Sequence, residues 1–208
     1  MEVTYLSRED AGRRLGQYLV EKNVRPDFVL GLPRGGVIVA AQVAGLLQCA
    51  LGALAVRKIG HPKHREYAVG ALAEGGVVRL DEAALAESNI VAGDLQKIIA
   101  EETKRLQAAE AMFHATGKFE LRDKVVLIVD DGLATGATAE AAVMSARNQK
   151  ARQVLVAVPV TSINAGERMA AVADGFHALV TDPNFAAVGQ YYDSFPQVSD
   201  EAVMALLA

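Results

Sequence analysis

Tryptophan is absent from this 208-residue chain, aromatic residues make up only 5%, and Cys49 is the single cysteine. One cysteine excludes an intrachain disulfide framework and a multi-cysteine zinc site. With so few aromatic residues, the core must be built from Ala, Val, Leu and Ile, which suits parallel strands covered by helices on both faces. The chain also lacks a positively charged leader and a long apolar run. We therefore expect no signal peptide, no membrane span and a cytoplasmic location.

Composition and charge describe a folded protein of modest net charge. Hydrophobic residues make up 51% and charged residues 22% of the chain, and the net charge is -4. This balance excludes a disordered chain and predicts no general attraction to nucleic acid or to acidic lipid. The length suits one α/β domain.

Segments of strand and helix character alternate along the chain, which predicts a parallel α/β sheet with right-handed connections. The predicted strands are 28–30, 51–56, 124–129, 153–159 and 176–180. The predicted helices are 8–22, 37–47, 94–113, 137–149 and 165–173, with a short terminal helix capped by Ser199. In the helix 94–113, Glu101, Glu102, Lys104 and Arg105 are interpreted as a solvated face. Residues 59–76 are predicted to be a long mobile loop with one or two short strands, for example 68–73.

The segment 125–138 joins an apolar strand to two acids and a glycine-rich turn. Asp130 and Asp131 follow the strand, and the turn that starts the next helix contains Gly132, Thr135, Gly136 and Thr138. Backbone N–H groups at such a helix N-terminus bind phosphate, whereas adjacent carboxylates repel it. The acids therefore serve ribose hydroxyls or a magnesium ion, and the pairing suggests a sugar phosphate as ligand. No Gly-Lys-Ser/Thr and no G-x-G-x-x-G follows here, which argues against the nucleotide P-loop and the dinucleotide fingerprint.

This segment resembles the signature of type I phosphoribosyltransferases. In that family the two acids, here Asp130 and Asp131, bind the ribose hydroxyls of 5-phosphoribosyl-1-pyrophosphate. The following loop cradles the 5′-phosphate, and its counterparts here are Leu133, Ala134, Thr135, Gly136, Ala137 and Thr138. The resemblance implies the fold of the family, which is a parallel central sheet flanked by helices with a small hood and a flexible loop. It also implies Mg²⁺, held mainly by the substrate and in part by Asp130 and Asp131.

Two further segments resemble the pyrophosphate site of the same family. The loop 32–36, with Arg34, Gly35 and Gly36, follows the first core strand, and Arg57 and Lys58 end the next one. Residues 59–76 stand where the family has a flexible loop that closes over the site. One departure concerns Ala134, because hypoxanthine-guanine enzymes carry a base-assisting Asp there. Adenine and uracil enzymes carry Ala-Thr-Gly, so catalysis is not excluded.

Weaker signals lie in the closing loop and near the C-terminus. His61 and His64 have metal-like spacing but lack a nearby third ligand, so a solvated loop is the preferred interpretation. The segment 183–189 resembles a hypoxanthine-type segment that stacks the base on an aromatic ring, although it is one residue longer. Phe185 of this segment, or Tyr191 just after it, is the expected platform for the base.

The resemblance as a whole implies one phosphoribosyltransferase domain over residues 1–208. Its core spans about 24–160, and its hood spans about 176–198 plus the N-terminal segment. The implied reaction is Mg-dependent phosphoribosyl transfer to a nitrogenous base with release of pyrophosphate. One alternative is a sensor of phosphoribosyl pyrophosphate or of a nucleotide on the same fold, and another is a hydrolase or phosphorylase of ribose phosphates. Small molecules are the implied partners, and dimers are common on this fold.

Overall fold

The computed structural model describes residues 5–65, 67–88, 90–115 and 117–208. Its strands are β1 (Phe28–Gly31), β2 (Ala50–Ala53), β3 (Val56–Gly60), β4 (Ala68–Ala73), β5 (Val77–Leu80), β6 (Val125–Val129), β7 (Gln153–Ser162) and β8 (Gly175–Asp182). Its helices are α1 (Arg8–Glu21), α2 (Gly35–Leu47), α3 (Glu82–Ser88), α4 (Ala92–Phe113), α5 (Ala137–Asn148), α6 (Ile163–Val172) and α7 (Asp200–Leu207), with one 3₁₀ turn (Val188–Tyr191).

Five strands form a parallel central sheet in the order β2-β1-β6-β7-β8. This confirms the predicted fold class. The middle strand β6 reads Val-Val-Leu-Ile-Val and is buried throughout, as expected for a strand covered on both faces. Its side chains alternate between two layers. Val125, Leu127 and Val129 pack with α1 and α2, whereas Val126 and Ile128 pack with α5 and α6.

The segment 51–76 differs from the sequence prediction. The single strand predicted at 51–56 is wrong, because β2 ends at Ala53 and β3 begins at Val56 in a second sheet. That sheet is antiparallel with the order β3-β4-β5, so residues 59–60 and 68–73 of the predicted loop lie in strands, and the strand expected at 68–73 is present. Gly75 and Gly76 both have φ of 76°, the conformation that a tight hairpin turn requires.

Glu74 joins the two sheets from a buried position between β4 and β5. Its side chain is 2% exposed and accepts hydrogen bonds from Ala55 N at 2.6 Å, His114 Nε2 at 2.8 Å and Lys118 Nζ at 2.9 Å. Burial alone would raise the pKa of Glu74, but these donors outweigh it and hold the pKa below its ordinary value. The carboxylate therefore stays ionised and fixes the point where the chain leaves the central sheet.

Replacing Glu74 by alanine will destabilise the fold. The change leaves the buried Ala55 N–H and the His114 ring without their acceptor, and losing one partner of a buried charge network costs about 3 kcal/mol. Urea unfolding measures this loss. The matched control is Glu120→Ala, since the Glu120 side chain is 81% exposed. Equal free energies of unfolding for the two variants would contradict this role of Glu74.

The N-terminal and C-terminal segments meet above the C-terminal ends of β7 and β8. Tyr5 pairs with Tyr192 and its hydroxyl donates to Pro159 O at 2.8 Å. Tyr191, Tyr192 and Val160 complete this small apolar cluster. Ser199 caps α7 by accepting from Ala202 N, as predicted. This arrangement gives a compact cover at the same edge of the sheet to which the loops after β1 and β6 belong.

Candidate functional site

The loops after β1 and β6 lie against each other at the carboxyl edge of the central sheet, because these two strands are neighbours. A Cβ on Gly36 would lie 2.8 Å from Asp130 Oδ1 and 2.9 Å from Val129 O. A Cβ on Gly35 would collide with the carboxylate of Asp131. Both positions therefore require glycine, and the loop 32–36 rests directly on the two acids. Its Pro33–Arg34 peptide bond is cis.

Asp130 and Asp131 form an adjacent, half-buried pair of carboxyl groups. The N–H of Asp131 donates to Asp130 Oδ1 at 2.9 Å. Burial, followed by the charge of Asp131, raises the pKa of Asp130 well above its usual range. Burial also raises the pKa of Asp131, although the Arg8 guanidinium opposes this rise. Such a pair is suited to hydroxyl donors or to a cation, and carboxylate oxygens are ligands that Mg²⁺ accepts.

The turn 133–138 leads from the acids into the N-terminus of α5. Gly136 has φ of 77° and stands immediately before the helix, and the Thr135 hydroxyl accepts from Ala137 N at 3.4 Å. Ser162, at the end of β7, donates to Ala134 O at 2.7 Å and so ties the turn to the sheet. Leu133 is buried and pairs with Thr161, whereas Ala134 and Thr135 are exposed. An exposed turn at a helix N-terminus offers backbone N–H groups to an anion.

A cavity of about 1040 Å³ opens beside the acids. It is lined by the loop after β1, by β3, by one face of α4 and by the start of α7; Asp130 and Thr138 also face it. Among its lining residues are Arg34, Arg57, Lys58, Arg65 and Arg105. These five cationic side chains, called the cationic wall below, make the cavity suitable for a polyanion.

Carboxylates hold several of these cations. Arg57 contacts Glu102 Oε2 through Nη2 at 3.0 Å and Nε at 3.1 Å, and Arg105 contacts Glu102 Oε1 at 2.6 Å. Arg34 lies 3.9 Å from Asp200 of α7. Glu102 is only 6% exposed, so the prediction of a solvated face is wrong at this residue. The helix α4 turns this face to the cavity.

The segment between β3 and β4 contains the two histidines. His61 is buried, with Nε2 3.2 Å from Ser88 O and Nδ1 accepting from Lys63 N, so a solvated His61 is a wrong prediction. Arg65 pairs with Glu101 at 3.1 Å. The part of the predicted closing loop at residue 66 lies outside the described residues. His61 thus anchors the base of this segment, and Arg65 lines the cavity.

The predicted aromatic platforms, Phe185 and Tyr191, lie next to each other. The rings of Phe185 and Tyr191 are 5.3 Å apart, and the Tyr191 hydroxyl donates to Asp182 at 2.6 Å. Val188, between them in sequence, would contact a Cβ placed on Gly132. Neither ring is among the residues that line the 1040 Å³ cavity. Their assignment to a base stays a prediction.

Sequence reasoning did not find Arg8, which the structure brings to the site. Its Nε donates to Asp131 Oδ2 at 2.7 Å across 123 residues of sequence. Tyr192 was also missed, and its hydroxyl donates to Asp131 O at 2.6 Å. Arg8 stands in the first turn of a helix that also carries Arg13 and Arg14, so no local pattern distinguishes it. Only the folded arrangement identifies these two partners of Asp131.

A second group of potential metal ligands lies away from the acid pair. One ligand atom each of Glu74, Glu110 and His114 falls within 4.8 Å of the others. The ammonium of Lys118, however, lies 2.9 Å from Glu74 and 2.8 Å from Glu110. This group is therefore an internal ion-pair network that already contains its own cation.

Residues 4–193 match the family model of the phosphoribosyl transferase domain. The chain belongs to this family. It is 41% identical over 201 residues to a Mycobacterium tuberculosis protein named "Putative phosphoribosyl transferase", covering 96% of this chain and 45% of that protein. The chain thus spans about half the length of the curated relatives that it matches.

Two solved structures share the fold of this chain. The TT1426 protein of Thermus thermophilus is 39% identical, with a TM-score of 0.80 over 98% of this chain and 97% of that one. A purine phosphoribosyltransferase of Pyrococcus horikoshii is 18% identical, with a TM-score of 0.52 over 96% and 99% of the two chains. At that identity the likeness concerns the fold alone. Within the described residues, no helix combines the length and the apolar character needed to cross a membrane.

Proposed function

We propose that the chain transfers a phosphoribosyl group from 5-phosphoribosyl-1-pyrophosphate to a nitrogenous base and releases pyrophosphate, in the presence of Mg²⁺. The observation that carries this proposal is the meeting of three parts at one sheet edge. These are the acid pair after β6, the helix N-terminus at 133–138 and the loop 32–36 beside a cationic wall. Each part matches one portion of 5-phosphoribosyl-1-pyrophosphate, called the sugar diphosphate below. These portions are the ribose, the 5′-phosphate and the pyrophosphate. Open α/β sheets bind ligands at this edge.

The residues of the chain divide the work of the reaction. The turn 133–138 binds the 5′-phosphate, and Asp130 and Asp131 accept hydrogen bonds from the ribose hydroxyls. Arg34, Arg57 and Lys58, with the N–H groups of Gly35 and Gly36, bind the pyrophosphate as it departs. Holding the substrate at both ends fixes C1 between leaving group and base, and such positioning can supply ~7–11 kcal/mol.

Charge develops at C1 when the bond to pyrophosphate breaks, as in glycoside chemistry. In this mechanism the half-buried carboxylates of Asp130 and Asp131 offset this positive charge, and the cationic wall offsets the negative charge on pyrophosphate. Bound Mg²⁺ would supply additional charge to the pyrophosphate oxygens, with Asp130 and Asp131 as its protein ligands. Phe185 or Tyr191 is proposed to stack on the accepting base, which the sequence does not identify.

The decisive experiment supplies Mg²⁺, the sugar diphosphate and a panel of purine, pyrimidine and pyridine bases. Nucleotide formation and pyrophosphate release are read by mass as initial rates, with the slow variant Asp131→Asn as the control. A base-dependent product that forms far more slowly in the control would establish the transferase and name its acceptor. Tight calorimetric binding of the sugar without product from any base would favour the sensor function instead. Absence of sugar binding would refute the assignment of all three parts.

Gly136→Ala tests the turn at 133–138 separately. Gly136 has φ of 77°, and alanine there is strained even though its Cβ would have space, with the nearest atom at 3.5 Å. We expect the turn to shift and the affinity for ribose 5-phosphate, measured by calorimetry, to fall about tenfold, or ~1.4 kcal/mol. The matched control is Gly76→Ala, at φ of 76° in the β4–β5 turn. Equal loss of affinity in both variants would refute a specific role of the turn.

A further inference from the structure

Arg8 places a buried positive charge beside the acid pair. It is the first residue of α1 and is only 8% exposed, although nearby Arg13 and Arg14 are half exposed. Burying a guanidinium is costly unless it is paired and hydrogen-bonded. Arg8 is paired in this way, with its Nε 2.7 Å from Asp131 Oδ2. The pairing indicates that Arg8 does more than add charge to the protein surface.

Three contacts fix the guanidinium of Arg8. Nε donates to Asp131, Nη1 donates to Pro196 O at 2.8 Å, and the ring of Phe195 stacks at 3.6 Å from the guanidinium carbon. Gly35 completes the enclosure, because a Cβ there would lie 2.7 Å from Arg8 Nε. These contacts hold the planar guanidinium in one orientation. Its hydrogen bond from Nε in turn fixes the orientation of the Asp131 carboxylate.

The helix α1 has other anchors in the fold besides the contact of Arg8 with Asp131. Leu15 and Leu19 of this helix are fully buried against α2 and β6. Ser7 caps the helix by accepting from Asp10 N. The apolar face and the cap therefore secure α1, and the bond from Arg8 acts on the acid instead.

We propose that Arg8 is a positioning residue for the sugar: it holds Oδ2 of Asp131 so that Oδ1 is presented to a ribose hydroxyl. This inference rests on the proposed function, because it assumes that Asp131 binds the ribose. Arg8 does not touch the ligand itself and acts only through Asp131. It also links the acid to the C-terminal segment, since Phe195 and Pro196 contact the same guanidinium.

The test measures three ligands by calorimetry with Mg²⁺: the sugar diphosphate, ribose 5-phosphate and inorganic pyrophosphate. In Arg8→Gln we expect about tenfold weaker binding of the two ribose ligands and unchanged binding of pyrophosphate. Arg8→Lys keeps the charge but not the planar fork, and it should recover part of the loss. The control is Arg13→Gln on the same helix, whose side chain is 54% exposed. That variant should bind all three ligands as the wild type does.

A double-mutant cycle separates positioning from a structural role. In the Asp131→Asn background, Arg8→Gln should cause no further loss of ribose 5-phosphate affinity, because its effect passes through the Asp131 carboxylate. The proposal would be overturned if Arg8→Gln lost affinity for pyrophosphate as much as for the ribose ligands and also unfolded at a lower temperature. Wild-type affinity in Arg8→Gln would overturn it too. If Arg8→Gln does not fold, Arg8→Lys alone decides, and a lysine variant with full ribose affinity would also overturn it.

The outcomes distinguish this inference from the function on which it rests. Failure of the wild-type chain to bind either ribose ligand would refute the proposed function and the role of Arg8 with it. Wild-type binding together with an unaffected Arg8→Gln variant would refute only the role of Arg8.

Discussion

Asp131→Asn will lower the rate of nucleotide formation by about 100-fold, which corresponds to ~2.7 kcal/mol of transition-state stabilisation. Asparagine has nearly the shape of aspartate but no negative charge. The hydrogen bonds to sugar hydroxyls that strengthen in an oxocarbenium-like transition state supply several kcal/mol in related chemistry, and they depend on an anionic acceptor. The variant also deprives the buried Arg8 of its counter-charge.

The measurement is steady-state turnover with the base that the panel identifies, together with thermal unfolding of each protein. The control is Asp123→Asn. Asp123 is exposed and has φ of 63°, a conformation that asparagine also adopts. Turnover in folded Asp131→Asn equal to that of the control would remove Asp131 from the reaction.

Gly35→Ala will abolish most of the binding of the sugar diphosphate. The added Cβ collides with the Asp131 carboxylate and would lie 2.7 Å from Arg8 Nε, so either the loop 32–36 or the ion pair must move. Overpacking of this kind costs about 1–3 kcal/mol of stability. We expect the affinity for the sugar diphosphate to fall at least ~30-fold, or ~2 kcal/mol, because pyrophosphate and ribose contacts are displaced together.

Calorimetry on Gly35→Ala is compared with Gly45→Ala in the same helix. A Cβ on Gly45 meets nothing within 4 Å, and alanine is the better helix former, so this control should be slightly more stable and bind normally. Wild-type affinity in Gly35→Ala would show that the loop and the acids are not one binding unit.

The central sheet was predictable because its strands are short apolar runs followed by glycine-rich turns. The run Val125–Val129 and the helix start at Ala137 agree with the sequence prediction. The error at residues 51–56 has a long-range cause. The chain leaves the central sheet at Leu54 and Ala55, where the backbone N–H of Ala55 donates a hydrogen bond to the Glu74 side chain. The residue pattern around 51–56 does not indicate this distant partner.

The pairing of β3, β4 and β5 into a second sheet was missed for a different reason. Gly60, Gly70 and the pair Gly75-Gly76 gave this segment the composition of a loop. A Cβ on Gly70 would collide with Arg79 O of the adjacent strand, so this glycine permits close pairing of strands. The strand β4 was predicted at 68–73, and the Gly-Gly pair, read as a hairpin signal, would also have predicted its partner β5.

The candidate site likewise contains residues that the sequence predicts and residues that only the folded structure reveals. Its loops follow strands and carry recognisable residues, so Asp130, Asp131 and the turn 133–138 were named from the sequence. Arg8, Glu102 and Asp200 enter from distant helices, and each contributes a charge opposite to that of its partner in the site. Such complementarity depends on packing and has no local signature.

Carboxylates of the protein pair with arginines that line the cavity, so an anionic ligand must compete with these carboxylates for the arginines. Arg57 and Arg105 share Glu102, and Arg34 lies near Asp200. A small monovalent anion must displace these carboxylates with a single charge, whereas a diphosphate brings several charges and can engage more than one arginine at once. Under the proposed function, these carboxylates therefore favour the binding of a diphosphate over the binding of a small monovalent anion.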